Sequence, residues 1–252
     1  MKLHANTPQR SIMISLLAGL LLAFMARGEA FAMPITKAAT VNVVTVCMND
    51  GTNCAPQGPA GDLFFAAEVN KIWAQAGIHF DFVLQPNLNN SNFLVVNDSV
   101  PGKRFMDLST PSTSSITMWL TYYVTGAYGE AWLGAGGLVI AMQSVMDVMR
   151  LDTIAHELGH NLGLNHDDSN PNYLMASGGV RNTPNSMANI APDGLGYDFL
   201  SPAQIAIARG SLLLHDVGTV PEPASLALFV IGLLAFATAR RRPAPVRVRA
   251  GQ

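Results

Sequence analysis

Thr153-Ile154-Ala155-His156-Glu157-Leu158-Gly159-His160-Asn161-Leu162-Gly163-Leu164-Asn165-His166-Asp167 is the stretch that decides the fold. Ile154, Leu158 and Leu162 recur at i, i+4 and i+8, one apolar row of a helix that must bury. His156 and His160 stand four apart on another face, so both imidazoles project toward one point and can share a metal ion. Asp152 is placed to cap the start of this helix. Glu157, directly after the first histidine, points beside the metal, where a carboxylate takes a proton from water. Gly163 can adopt a positive φ, which ends the helix and turns the chain so that His166 returns as a third ligand. Three neutral imidazoles leave a fourth coordination position open, which suits catalytic zinc better than a closed structural site. Chance assembly of these five residues at this spacing, from this chain's own composition, is on the order of 1 in 100,000, so the cluster is read as a site.

Working outward, the preceding chain reads as strand, helix, strand. Val41 to Val46 is rich in β-branched residues and forms a buried strand. A polar Gly/Pro/Asn loop containing Cys47 and Cys54 follows. Asp62 is placed to cap a helix from Leu63 to Ala76, with Phe65, Val69, Ile72 and Ala76 on one face and Gly77 ending it. Ile78 to Leu84 alternates as a second strand, Phe93 to Val96 is a weak strand, and Ile116 to Val124 has strand composition. Ala131 to Met142, with Gly134, Gly136 and Gly137 inside it, reads as a strand whose glycines let another backbone approach closely. Ser201-Pro202-Ala203-Gln204 combines a cap, a proline at the first helical position and a glutamine three residues after the cap, predicting a helix to about Leu214. The pattern is that of an α/β (α+β) domain with a mixed sheet. His79 and His215 read as structural rather than metal-binding.

His156, Glu157, His160, Gly163 and His166 match the metzincin zinc motif HExxHxxGxxH at every specified position. Asp167 and the wording His-Glu-Leu-Gly-His-Asn-Leu-Gly-Leu-Asn-His-Asp most resemble the adamalysin (reprolysin) branch. The resemblance implies a twisted mixed sheet with an active-site helix, a Met-turn and a C-terminal helix. It implies a zinc-dependent endopeptidase, with one zinc ion on His156, His160 and His166 and Glu157 as the proton-transferring residue. Met175, in Asn172-Tyr173-Leu174-Met175-Ala176, is the candidate Met-turn methionine, an apolar floor under the metal. Tyr173 precedes that methionine, whereas astacins place a metal-reaching tyrosine two residues after it, so no tyrosine ligand is carried over. Gly129-Glu130-Ala131-Trp132-Leu133-Gly134 resembles the metzincin edge strand, which implies that Trp132, Leu133, Gly134, Ala135 and Gly136 bind an extended peptide by β-augmentation. Asp167, Asp168 and Asn170 either bind calcium or form a solvated loop.

The two ends explain a composition that otherwise fits no soluble domain: 49% hydrophobic and 13% charged, against about 25% charged as usual. Residues 1–32 have a basic start, an apolar run from Ile12 to Met25 and Ala30-Phe31-Ala32 before the expected cut, the pattern of a secretory signal. Val220-Pro221-Glu222-Pro223, the apolar segment 224–239 and Arg240-Arg241-Arg242 resemble, in that order, a PEP-CTERM sorting signal recognised by an exosortase. That places an anchor in the inner membrane before processing, and the body of the protein in the periplasm, envelope or extracellular matrix of a Gram-negative-type bacterium. The domain between, 33–219, has seven basic and fifteen acidic side chains, a net of −8 rather than the −2 of the whole chain. A nucleic-acid partner is excluded on that balance. In an exported chain, Cys47 and Cys54 are expected to form a small disulfide loop. Eight residues separate Ala32 from the first expected strand, too few for a latency propeptide. The alternative to an enzyme is a zinc-binding matrix or envelope protein with little turnover.

Overall fold

The computed structural model describes residues 32–97, 105, 114–191, 194 and 196–218. The expected signal segment up to residue 31 and the sorting segment from residue 219 onward lie outside the described residues. Among the described residues no helix is long and apolar enough to cross a membrane.

A mixed sheet carries the domain. Strand β1 (Lys37–Cys47) lies between β2 (Ile78–Leu84) and β5 (Ile116–Thr121), both parallel to it. Strand β8 (Gly137–Ala141) extends the parallel run beside β5, and β7 (Gly129–Ala131) closes the edge antiparallel to β8. Short strands complete β1 at both ends. Strand β3 (Leu88–Asn89) pairs with Val46 and Cys47, and β9 (His215–Asp216) pairs with Lys37 and Ala38. A separate pair is formed by β4 (Val95–Val96) and β6 (Tyr123–Val124).

The register puts Val43, Met118 and Leu138 side by side on one face, all fully buried. That face packs on helix α1 (Ala66–Trp73) and on α3 (Thr153–Asn161), joined by Trp73, Ile154, Leu158 and Leu162 in one core. The opposite face buries Trp119, Val139 and Trp132 with Phe105 in a smaller cluster, the Trp119 and Trp132 rings meeting edge to face at 5.4 Å. Both faces of the central strands are therefore covered, as parallel strands require. Trp73 Nε1 donates to Ala155 O at 3.2 Å and fixes α1 against α3. Cys47 and Cys54 form a disulfide that closes the loop after β1.

Several elements differ from the sequence reading. Helix α1 is regular from Ala66, not Leu63, because Phe64 and Phe65 adopt positive φ (63° and 50°) and both rings turn inward to the core. Asp62 makes no side-chain cap there, while Gly77 ends the segment at φ 62° as expected. Helix α2 (Met142–Val148) follows β8 directly and was not foreseen. It buries just Met142 and Val145, too few positions to show a period. The capping box of α4 (Pro202–Arg209) forms, Ser201 Oγ accepting from Gln204 N at 3.2 Å. This helix stops at Gly210 rather than near Leu214, and the chain returns as β9. Arg209 secures that return by donating to Ala76 O (2.6 Å) and Thr36 Oγ1 (2.8 Å).

The expected edge strand is placed differently as well. Trp132 to Gly136 is not a strand: it is the turn between β7 and β8, and the sheet edge on this side is Gly129–Ala131. Gly137 does admit a close neighbour, but the neighbour is the Trp132 ring, which lies where a Cβ would stand. A buried tryptophan folded back over its own hairpin has no period by which a sequence could reveal it.

Candidate metal centre

Helix α3 lies almost wholly inside the domain, with Ile154, Ala155 and Leu158 no more than 1% exposed, and it turns His156 and His160 toward the β7 edge. After α3, Gly163 takes φ 94° and the chain swings back, bringing in His166. The ligand-capable nitrogens of His156, His160 and His166 all lie within 4.8 Å of one another, and His156 Nε2 is 3.3 Å from His166 Nε2. The backbone fixes two of these rings from behind. His156 Nδ1 contacts Leu174 O at 2.6 Å, and His160 Nδ1 contacts Leu164 O at 2.7 Å. A carbonyl can only accept, so each Nδ1 carries the proton and each Nε2 lone pair faces the shared point. Burial keeps both rings neutral: desolvation holds the His156 pKa well below the ordinary value, with nearby Arg181 adding to it, and desolvation likewise lowers His160. Neutral, oriented imidazoles converging on one point fit a zinc ion.

Met175 is fully buried, and its Sδ occupies the place that a Cβ on Gly159 would take, between the two helical ligands in sequence. The same turn does more than supply a floor. Leu174 O receives His156, and Met175 O accepts from Asp167 N at 2.8 Å, which ties the turn to the loop holding His166. Glu157 points into a cleft of about 400 Å³ that also contacts His156 and His166. Its side chain packs on Gly129 of the edge strand, where a Cβ would come within 2.8 Å of Glu157 Cγ. Desolvation raises its pKa to about 8, partly opposed by Arg181 and assisted by Glu130.

Three features were not legible beforehand. Asp152 occupies the cap position of α3 but makes no cap hydrogen bond; its fully buried carboxylate sits 2.8 Å from Arg181 Nε instead. Arg181 Nη1 donates to Leu174 O at 3.0 Å and lies against His156 Nδ1, so this ion pair stands directly behind a ligand. Asp198 joins it, its pKa pushed well above the usual carboxylate range by burial and then by Asp152. Asn161 Nδ2 donates into the β7–β8 turn, to Ala135 O and Gly137 O at 2.7 Å. None of these partners is near in sequence, and the sole signal was that a domain poor in basic residues places Arg150 and Arg181 around the motif.

The oxygens considered for calcium are engaged within their own loop. Asp167 Oδ1 accepts from Ser169 Oγ (2.6 Å), Asp168 Oδ2 accepts from Ser177 Oγ (3.0 Å), and Asn170 Oδ1 accepts from Asn172 N (2.9 Å). Among the described residues the three histidines form the one cluster able to hold a metal ion. His79 lies away from it, 3.3 Å from Asp81, and His215 is in β9.

In this part of the chain the sequence is similar to known metallopeptidases. Residues 67–167 match the metallo-peptidase family M12B, Reprolysin-like, and residues 219–242 match the PEP-CTERM protein-sorting motif. The chain thus has one segment similar to reprolysin-like metallopeptidases and a C-terminal segment similar to a protein-sorting motif. Similar solved structures include archaemetzincin from Archaeoglobus fulgidus in complex with malonate, at 17% identity and TM-score 0.36, covering 67% of this chain and 99% of that one. Archaemetzincin from Methanopyrus kandleri is 14% identical with TM-score 0.42, covering 74% of this chain and 97% of that one. No curated protein sequence matches the chain.

Proposed function

We propose that this protein is an exported endopeptidase that hydrolyses peptide bonds with water, using one zinc ion held by His156, His160 and His166. The observation that carries the reading is Glu157 in the cleft beside three imidazoles, two of them with Nδ1 tied to backbone carbonyls. Zinc at that point supplies Lewis acidity to a peptide carbonyl and to water. Glu157 accepts the proton released by water as oxygen attacks the carbonyl carbon, then delivers it to the departing amine nitrogen. An extended substrate strand adds along the outer edge of β7, at Gly129–Ala131, which holds Glu157 from the other side. Met175 acts as the apolar floor, packed on α3 at Gly159.

Export follows a signal segment at 1–32, and the catalytic domain spans 33–219. The segment 220–252, with its apolar run 224–239, holds the chain in the inner membrane until an exosortase-type enzyme processes it. The mature protein acts in the periplasm, envelope or matrix, on peptide or protein substrates and not on nucleic acid.

The test is Glu157→Gln. The variant binds zinc stoichiometrically yet cleaves a denatured protein about 10²- to 10⁴-fold more slowly than wild type, and a zinc chelator abolishes wild-type cleavage. Equal rates in variant and wild type overturn the mechanism.

A further inference from the structure

Helix α4 presents an outer face with no polar side chain. Its exposed positions are Pro202, Ala203, Ala206 and Ile207, one stripe at helical spacing, and Gly210 continues the stripe past the last turn. A surface helix ordinarily turns charged and polar residues outward. Here the one charged residue of the helix, Arg209, is turned onto Ala76 O and Thr36 Oγ1, and Gln204 is buried in the capping box. The chain after the helix extends the apolar face. Leu213 enters the core, and Leu212 is left 83% exposed, the most exposed large apolar side chain among the described residues. A groove of about 340 Å³ follows this face; its lining includes Ala206, Ile207, Leu212 and Gly134 of the β7–β8 turn, and Ser211 is its one polar side chain. The acids that flank the stretch in the chain are withdrawn from it: Asp198 is fully buried, and Asp216 pairs with Lys37 at 2.8 Å.

The chain that follows decides what covers the face. Strand β9 pairs with the start of β1, and the described chain ends at Gly218. The apolar run 224–239 begins inside the segment 219–242 that matches the sorting motif. Six residue steps separate Gly218 from Ala224, a reach of roughly 20 Å at full extension. With 224–239 in a bilayer, the end of the domain that carries Leu212 and β9 stays within that distance of the lipid surface. Such a short tether keeps the bilayer at a high effective concentration, which a second copy free in solution does not match. The groove is also too small to take the sixteen residues of 224–239 themselves. A helix lying in the membrane interface buries just such an apolar stripe among the headgroups.

We propose that the outer face of α4, with Ile207 and Leu212 as its main apolar contacts, docks on the surface of the bilayer that holds the C-terminal segment. The inference rests on the reading of that segment as a membrane anchor, and adds a second contact that orients the domain on the membrane.

The experiment uses the full chain reconstituted in phosphatidylcholine vesicles, whose zwitterionic surface leaves the apolar contact to act alone. Cys47 and Cys54 are bridged, so one added thiol takes an environment-sensitive fluorophore. The thiol is placed on the face by Ala206→Cys, or by Leu84→Cys at the exposed end of β2 away from the pairing of β9 with Lys37 and Ala38. Flotation with the vesicles reads the anchor, and quenching by spin-labelled lipid, set against quenching by iodide in the water, reads the docking. Lipid quenching at position 206 is expected to exceed that at position 84 by about threefold or more. Ile207→Ser combined with Leu212→Ser lowers the docked population by about tenfold or more and brings position 206 to the level of position 84. Both side chains are exposed, so the fold does not depend on them. Flotation with equal lipid quenching at the two positions overturns the docking and keeps the anchor. Shielding of position 206 from lipid and iodide alike also overturns it, and gives the face to a second copy or to another segment of this chain. A chain that does not float with the vesicles overturns the anchor reading and the docking with it.

Discussion

Asn161 offers the sharpest quantitative test of how the site is held. It is the last residue of α3, next to His160, and is fully buried. Its Nδ2 donates at 2.7 Å to Ala135 O and Gly137 O and lies 3.2 Å from Trp132 O, all within the β7–β8 turn or its exit. His160 O, beside it, accepts from Gly134 N at 2.9 Å. One amide thus sets the height of the edge strand over the metal helix. Asn161→Ala removes two short hydrogen bonds, each with a net value of about 1 kcal/mol, and leaves buried carbonyls whose desolvation adds about 1–3 kcal/mol, partly relieved by water entering the vacated space. The expected loss is about 2–4 kcal/mol, which for a domain of this size lowers Tm by roughly 5–15 °C. Asn161→Asp is expected to cost more than Asn161→Ala, since a carboxylate in that place faces three carbonyl oxygens with no donor to offer. Urea unfolding of metal-free protein, followed by tryptophan fluorescence, measures both without a contribution from zinc binding. A loss under about 1 kcal/mol for alanine, or an aspartate variant more stable than the alanine one, refutes the clamp.

Asp152→Ala leaves Arg181 uncompensated behind His156. The expected loss is about 3 kcal/mol, the low end for a broken buried pair; a loss below about 1 kcal/mol by urea unfolding contradicts this. Glu68 has a pKa raised to about 7, first by burial and then by its hydrogen bond to Asp62. Its folded pKa exceeds the unfolded value of 4.5, so stability is full below pH 4.5 and is lost as pH rises through 7. Glu68→Gln therefore gains about 1–3 kcal/mol at pH 8 and nothing near pH 4, and an equal gain at both pH values rules out the burial explanation. Cys54→Ser opens a bridge between residues seven apart. It is expected to cost about 2 kcal/mol by loop entropy, and wild type treated with reductant serves as the matching control.

The histidine-bearing helix α3 was legible because its information is local. Ile154, Leu158 and Leu162 define a buried face, two histidines four apart define another, and a glycine after the last turn allows φ 94°. Strands β1, β2 and β5 were legible for the same reason, with their apolar composition and alternation written along a few consecutive residues. The box of Ser201 and Gln204 even announced its own hydrogen bonds. Where the reading failed, a distant group had overridden the local pattern. Asp152 has the chemistry of a cap, but a guanidinium from Arg181 is a stronger partner than a backbone N–H that water or the next turn can serve.

The edge strand shows the same division. Gly134, Gly136 and Gly137 marked a close approach, but the approaching group was Trp132 from the same hairpin, and the open edge moved to Gly129–Ala131. By itself the sequence marked the histidine cluster with Glu157 beside it, most of the strands and helices and the sorting motif, since each is written as spacing within one segment. The tertiary structure alone decided what stands behind and beside that centre: Asp152 between Arg181 and Arg150, and the Asn161 clamp. Those depend on which charges and carbonyls are left buried together once the sheet has closed over the helix, and no periodicity along a chain records that.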